Sequence, residues 1–235
     1  MKKIILSILI ITALFSTQIA SAAFTDVDDS TPYRIAIDWL ETNGVVEGYE
    51  DGTFKPLQEI NRAEFLKMIY TTIGYSESSA DVELPFPDVP EDEWYTIFVK
   101  EAYKTDVING YPDGNFRPEN PINKVEALKI VMNAFFGVEE LYGDGENYEP
   151  CHTDLTENIY LDTNEWYWDY VYVADNLCII PVDMVLGMQV YQFRPDTNLY
   201  RGQMAEFIYR AKTVKDWGVD DEYTPYSTQL APSDL

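Results

Sequence analysis

The chain has 235 residues, 41 acidic side chains against 16 basic ones, and a formal net charge of −25 at pH 7. It is long enough to bury a hydrophobic core, and so acidic a surface repels nucleic acids and anionic membranes. With one histidine, no phosphate-binding loop and no paired metal ligands, the sequence offers no set of residues for a catalytic triad or a metal centre. We therefore expect no enzyme activity, no metal, no cofactor and no nucleic-acid partner.

Residues 1–22 have the pattern of a secretory signal peptide. Two lysines precede an apolar run over residues 4–15, and Ala20-Ser21-Ala22 is a small-residue cleavage site. A retained N-terminal anchor is the alternative. Because no later stretch is apolar enough to span a bilayer, we expect a chain secreted to the cell surface or cell wall, with no transmembrane span after signal removal.

A first helix-loop-helix repeat is predicted over residues 24–75. Apolar side chains at helical spacing favour a helix over residues 33–43, which Gly44 ends. The next segment contains an Asp-Gly turn that needs a positive φ at the glycine. A second helix begins after Asn61, which can cap the backbone N–H of Glu64, and its apolar stripe runs to Ile73.

A second copy follows, because residues 24–74 align with residues 86–136 without a gap and share turn, cap and core residues. We place this second repeat at residues 86–137.

A degenerate third copy is predicted at residues 161–214, followed by an acidic tail over residues 215–235. In the third copy residues 181–192 replace the Asp-Gly turn, Tyr200 stands at the cap position, and Gln203 stands where glutamate is expected. One helix pair cannot bury both of its apolar stripes alone, whereas three pairs can bury them against one another. The predicted fold is therefore all-α, with three helix-loop-helix repeats packed as a pseudo-threefold bundle.

These segments resemble the S-layer homology family. The resemblance rests on the turns GVVEGYEDGTFKP and VINGYPDGNFRP and on the helix starts INRAE, INKVE and LYRGQ, at residues 44–56, 107–118, 60–64, 122–126 and 199–203. It implies a non-catalytic module that anchors a protein to the cell envelope. Its partner would be a wall-linked polysaccharide, in many members one that carries acidic sugars, or a peptidoglycan-associated polymer. Other surface-layer proteins are further partners that the resemblance allows.

The resemblance also implies that the cation at each second-helix start, Arg62, Lys124 or Arg201, contacts the glycan. A cation in the first helical turn opposes the helix dipole by roughly 0.3–1 kcal/mol. Its presence in all three copies of an acidic chain favours an anion site formed with free backbone N–H groups. The alternative is that each cation pairs with a neighbouring carboxylate.

Other candidate site residues recur at matching positions. Trp94 and Trp166 stand at the start of the first helix in copies two and three, where they either stack on a sugar ring or pack in the core. Turn residues complete the candidate set: the glycines would let a ligand approach the backbone, and the aspartates either fix the turn by a hydrogen bond or contact the glycan. These residues are Gly52, Gly114, Asp51 and Asp113.

The two cysteines, Cys151 and Cys178, could form a disulfide in an exported protein, and two separate thiols are the alternative. A self-assembling or calcium-binding structural component of a surface layer is the alternative function. The acid-rich loop over residues 142–147 favours it, although this loop lacks the ligand spacing of an EF-hand.

Overall fold

The computed structural model of the chain describes residues 24–75, 82–137, 165–180 and 195–217, together with the backbone of residues 184–185 and 188–189. The predicted signal peptide, Cys151, His152, the acid-rich loop and most of the acidic tail lie outside the described residues.

The described residues confirm the all-α fold class. They form six helices: α1 (Arg34–Thr42), α2 (Arg62–Thr72), α3 (Thr96–Lys104), α4 (Lys124–Phe135), α5 (Trp168–Asn176) and α6 (Arg201–Trp217). The strands β1 (Met184–Val185) and β2 (Met188–Gln189) form one short antiparallel pair. None of the described helices is long and apolar enough to cross a membrane.

The second helices begin at the predicted caps. Asn61 has extended backbone angles, and its side-chain oxygen accepts the N–H of Glu64 at 2.8 Å. Asn123 accepts the N–H of Glu126 at 2.9 Å in the same way. In α6 the roles are reversed, because the side chain of Gln203 accepts the backbone N–H of Tyr200 at 3.2 Å. Each helix start thus satisfies one half of a capping box.

One hydrophobic core runs through all six helices. The predicted apolar stripes of α2, α4 and α6 are buried in it, except that Ala134 of α4 is only partly buried and Ile73 lies outside the core. Ile73, predicted to belong to the stripe of α2, is instead the C-cap residue and is 41% exposed. Helix α6 packs against α1, α2 and α4, while α2 packs on α3 and α4 packs on α5.

Three backbone hydrogen bonds tie the segments before α2, α4 and α6 into a closed cycle. Ile122 donates to the carbonyl of Ile60 at 3.1 Å, Ile60 donates to Leu199 at 3.1 Å, and Leu199 donates to Ile122 at 2.8 Å. A cycle of this kind is what three equivalent repeats around an axis would produce. The pseudo-threefold symmetry of the whole bundle stays a prediction.

Candidate functional site

The cations at the helix starts are buried. Arg62 is 5% exposed, Lys124 is 7% exposed and Arg201 is 4% exposed. Burial of a charged side chain requires partners that replace water, so the surroundings of each cation decide what it can still bind.

The backbone N–H groups beside these cations are already bonded, which contradicts the expectation that they are free. In α2, Arg62 donates to the carbonyl of Asn120 at 3.1 Å, and Ala63 donates to the carbonyl of Pro118 at 3.0 Å. The first two residues of α4 and of α6 repeat this pattern on the carbonyls of Thr197, Pro195, Gln58 and Pro56. The first turn of each second helix is therefore occupied by the loop of a neighbouring segment, which leaves its N–H groups unable to cradle an anion.

The arginine side chains also reach into the neighbouring segment. Arg62 Nε donates to the carbonyl of Phe116 at 3.0 Å, and its Nη1 lies 3.3 Å from Glu126 Oε2. Arg201 Nε donates to the carbonyl of Phe54 at 2.8 Å, and its Nη1 lies 3.9 Å from Glu64 Oε2. For Arg62 and Arg201 the structure thus contains the carboxylate pairing that the sequence left as an alternative. The side chains of Glu64 and Glu126 thus pair with these arginines. Their part in the helix caps is limited to their backbone N–H groups, which the asparagine side chains accept.

Two tyrosines of the Asp-Gly turns lie between cations, and the sequence reasoning missed them. The guanidinium of Arg62 lies 4.7 Å from the ring centre of Tyr111, and that of Arg117 lies 4.3 Å from it. Arg201 and Lys55 approach Tyr49 at 4.9 Å and 3.8 Å. The sequence did contain a sign of this arrangement, because Tyr49 and Lys55 of the first copy recur as Tyr111 and Arg117 in the second.

The hydroxyl of Tyr111 donates to Glu126 Oε1 at 2.9 Å. A phenol is protonated at neutral pH, and burial raises the pKa of Tyr111 further above its ordinary value, so the hydroxyl remains a donor.

The turn aspartates form the predicted hydrogen bonds. Asp51 Oδ1 accepts the backbone N–H of Thr53 at 3.1 Å, and Asp113 Oδ1 accepts that of Asn115 at 3.0 Å. Asp113 also pairs with Arg117, whose side-chain hydrogen bond lowers the pKa of Asp113 to about 2. The glycines that follow the aspartates, Gly52 and Gly114, have φ of 77° and 84° and are exposed. The turns therefore present backbone and carboxylate to solvent.

The predicted stacking residues Trp94 and Trp166 are 50% and 56% exposed, so neither is a core residue. Each indole packs edge-on against the tyrosine that follows it, with ring centres 5.3 Å and 5.4 Å apart. Each also has a lysine above it: Lys67 lies 5.7 Å from the ring centre of Trp94, and Lys129 lies 5.5 Å from that of Trp166. The exposed aromatic surface and the nearest cation therefore occur together in both places.

Cys178 is disulfide-bonded and follows α5 with φ of 56°. Cys151 is the one other cysteine of the sequence and lies outside the described residues, so the pairing of the two stays a prediction.

A family model described as the S-layer homology domain matches residues 23–66 and 85–128. These matches make residues 23–66 and 85–128 similar to the S-layer homology domain. Each match covers the first helix, the Asp-Gly turn, the asparagine cap and the helix-start cation. The segment from residue 165 to 217 lies outside both matches. That it is a third S-layer homology domain stays a prediction, supported by the cycle of backbone bonds that joins the segments before α2, α4 and α6.

The chain is similar to proteins that are much longer. It is 32% identical to a "Cellulosome-anchoring protein" of Acetivibrio thermocellus over 48% of this chain and 26% of that protein. It is 29% identical to a "Surface layer protein" of Brevibacillus choshinensis over 57% of this chain and 12% of that protein. With an "Amylopullulanase" of Thermoanaerobacterium thermosulfurigenes the identity is 33%, over 79% of this chain and 9% of that protein. The chain thus spans about a quarter or less of these three relatives.

Proposed function

We propose that this chain is an exported, non-catalytic module that anchors to the cell envelope by binding a wall-linked polysaccharide that carries acidic groups, or a peptidoglycan-associated polymer. The two segments similar to the S-layer homology domain and the similarity to a cellulosome-anchoring protein and a surface layer protein support anchoring. The similarity to an amylopullulanase covers only 9% of that protein, which is compatible with a non-catalytic part attached to an enzyme.

The observation that carries the proposal is the exposure of Trp94 and Trp166 beside cations. A half-exposed indole offers a flat apolar face on which a sugar ring can stack. Lys67 and Lys129, which lie over these rings, add a positive charge to an otherwise acidic molecule. Stacking combined with one charge-assisted hydrogen bond suits an acidic sugar.

The other predicted site residues enter the proposal in two groups. Asp51, Asp113, Gly52 and Gly114 lie on exposed turns, where a glycan could contact both backbone and carboxylate. The helix-start cations are buried and are bonded to a neighbouring segment through side-chain or backbone N–H groups, and we propose that they contact the glycan only through their small exposed surface. These cations are Arg62, Lys124 and Arg201.

Sedimentation with purified cell-wall sacculi tests the proposal. The mature protein should pellet with untreated sacculi and should pellet less with sacculi from which acidic wall polymer has been removed chemically. Binding should weaken as salt rises, because part of the attraction is electrostatic. Equal binding to both preparations would contradict an acidic ligand, and no binding to either would contradict anchoring.

A matched pair of variants makes the test specific. Trp94→Ala combined with Trp166→Ala should lose most binding to untreated sacculi. Trp217→Ala removes an indole that is 83% exposed at the end of α6 and is not among the proposed site residues, so it should bind like the unmodified protein. Equal losses in the two variants would show that the proposed stacking residues have no special role.

A structural component of a surface layer is the second candidate, favoured by the similarity to a surface layer protein. It predicts that the purified protein associates with itself without wall material, in a way that depends on protein or calcium concentration. Sedimentation velocity with and without calcium separates the two functions, because an anchoring module alone should stay monomeric in both.

A further inference from the structure

The sequence contains two Asn-Gly pairs, Asn43-Gly44 and Asn109-Gly110. An asparagine followed by glycine is prone to spontaneous deamidation, because glycine has no side chain to hinder the attack of its backbone nitrogen on the side-chain amide of the asparagine. Both asparagines are exposed to solvent, so exposure does not distinguish them. The hydrogen bonds around the two pairs do.

Both reacting groups of the Asn43-Gly44 pair are held by hydrogen bonds. Asn43 is the C-cap residue of α1, and its side-chain Nδ2 donates to the carbonyl of Trp39 at 2.8 Å. The backbone N–H of Gly44 donates to the carbonyl of Glu41 at 2.9 Å. Both bonds must break before the nitrogen of Gly44 can reach Cγ of Asn43, and each broken bond adds to the barrier.

The Asn109-Gly110 pair has neither restraint. It lies between α3 and the Asp-Gly turn of the second repeat, outside any helix or strand. Within the described part of the chain, neither the side chain of Asn109 nor the backbone N–H of Gly110 takes part in a hydrogen bond. The amide and the attacking nitrogen are therefore both available.

The two Asp-Gly turns, whose aspartates can form the same cyclic imide, are restrained like Asn43. The N–H of Gly52 donates to the carbonyl of Tyr49, and that of Gly114 donates to the carbonyl of Tyr111, each at 2.9 Å. Among the described Asn-Gly and Asp-Gly pairs, Asn109-Gly110 is thus the one whose glycine N–H has no hydrogen bond.

We propose that Asn109 is a site of spontaneous deamidation in the folded protein, which the fold leaves open while it protects Asn43. The backbone nitrogen of Gly110 loses its proton to water or hydroxide and attacks Cγ of Asn109. The new C–N bond closes a cyclic imide, and the side-chain nitrogen leaves as ammonia. Water then opens the imide at either carbonyl, which gives aspartate or isoaspartate. The reaction needs neither an enzyme nor an oxidant.

The isoaspartate product disrupts the turn of the second repeat. It routes the backbone through the side-chain carbon, which adds a carbon atom to the main chain directly before Gly110. Gly110 packs under the ring of Phe86, where a Cβ would lie 2.4 Å from a ring carbon, so the chain has no room to shift there. The next residue, Tyr111, donates to Glu126 and lies beside Arg62. A displaced Tyr111 loses these contacts.

Incubation of the mature protein in warm, mildly alkaline buffer tests the inference. Samples taken over time are digested, and mass spectrometry measures the exchange of ammonia for water at each asparagine, with electron-transfer fragmentation to separate isoaspartate from aspartate. In the folded protein Asn109 should deamidate about tenfold or more faster than Asn43, because two hydrogen bonds protect Asn43. In urea, where neither pair is folded, the two rates should become similar.

The control variant is Asn109→Ser, which removes the amide and keeps a small polar side chain. After the same incubation it should keep its thermal unfolding midpoint, whereas the unmodified protein should develop a fraction that unfolds at lower temperature and contains the isoaspartate. Equal rates at the two asparagines of the folded protein, or a reaction at Asn109 that occurs only in urea, would overturn the modification site. If the isoaspartate forms but thermal stability does not fall, the site stands and the disruption of the turn is overturned.

Discussion

Two glycines in the turns allow aromatic rings to pack directly on the backbone. Gly48 and Gly110 have φ of 74° and 72°, and a Cβ at either position would lie 2.4 Å from a ring carbon of Phe24 or Phe86. No side chain fits at that distance, and an L-residue is strained at that φ.

Gly110→Ala should therefore lower the free energy of unfolding by about 2–4 kcal/mol, from backbone strain and overpacking together. Gly44→Ala is the control, because Gly44 has φ of 68° but nothing within 4 Å of the added Cβ. It should cost only the strain of about 1–2 kcal/mol. Urea unfolding measures both, and equal losses would show that the contact with Phe86 is unimportant.

An aspartate near the start of each of the first two repeats, Asp26 or Asp88, accepts hydrogen bonds from the backbone just after the Asp-Gly turn of the same repeat. Asp88 accepts the backbone N–H groups of Phe116 at 2.9 Å and of Arg117 at 2.7 Å, and Asp26 does the same for Phe54 and Lys55. Arg117 and Lys55 both have φ of 60°, so the carboxylate holds a residue in a conformation that L-residues rarely adopt.

Asp88→Asn should lower the free energy of unfolding by about 1–3 kcal/mol, because an amide offers one acceptor where two N–H groups need partners. Asp92→Asn, at an exposed position nearby, removes the same charge and should have little effect. Thermal unfolding of the two variants gives the comparison. A loss no greater than that of the control would show that the turn does not need these hydrogen bonds.

The lowered pKa of Asp113 predicts how the stability of the protein depends on pH. Its pairing with Arg117 lowers its pKa from 3.8 to about 2, so the folded state holds the carboxylate charged more strongly than the unfolded chain does. The stabilising effect is present above pH 4 and is lost as the pH falls towards 2. Titration followed by NMR should place the midpoint of Asp113 near 2, and Arg117→Gln should move it upward. If the midpoint of Asp113 were unchanged in Arg117→Gln, its low pKa would come from the hydrogen bonds within the turn and not from Arg117.

Hydrogen bonds that span few residues could be predicted from the sequence, and those that span many could not. The bond from Asp113 to the N–H two residues later follows from local turn chemistry. The bond from Asp88 to Phe116 spans 28 residues, and the repeat alignment reveals only that Asp88 recurs as Asp26.

At the level of elements, the first turns of the second helices pack against a neighbouring segment and donate their backbone N–H groups to its carbonyls. The sequence located their caps and their first cations, because asparagine and glutamate at this spacing have a local cause. It did not reveal that loop carbonyls accept both the backbone N–H groups and the arginine side chains, because the partners lie far along the chain: the side-chain partners of Arg62 and Arg201 are 54 and 147 residues away. The expected open anion site is therefore a packed contact.

Arg201→Met tests this contact. It removes the donor that satisfies the carbonyl of Phe54 in the core and should lower the free energy of unfolding by about 2–3 kcal/mol. Glu64→Gln weakens the long ion pair but keeps the bond to the carbonyl, so it should cost under about 1 kcal/mol. If Arg201→Met instead left stability unchanged while abolishing wall binding, the arginine would be a ligand contact and not a structural one.

The whole molecule depends on α6. This helix packs against α1, α2 and α4, and the ring of Trp39 in α1 lies 5.7 Å from that of Tyr209 in α6. Leu199, just before α6, makes two of the three bonds of the backbone cycle. The sequence predicted the helices and the need for three of these pairs, since both follow from the apolar pattern. It could not predict which faces meet, because each stripe fits several partners.

A fragment of residues 24–137 should therefore fail to fold on its own. Without α6, the buried faces of α1 and α4 would be exposed to water, and two bonds of the cycle would have no partner. We expect residues 24–217 to unfold in one cooperative thermal transition, because a closed cycle leaves no repeat free to unfold separately. The shorter fragment should show no such transition and should bind a hydrophobic dye. A cooperative transition in that fragment, at a temperature close to that of the longer chain, would mean that the first two repeats are stable without the third segment.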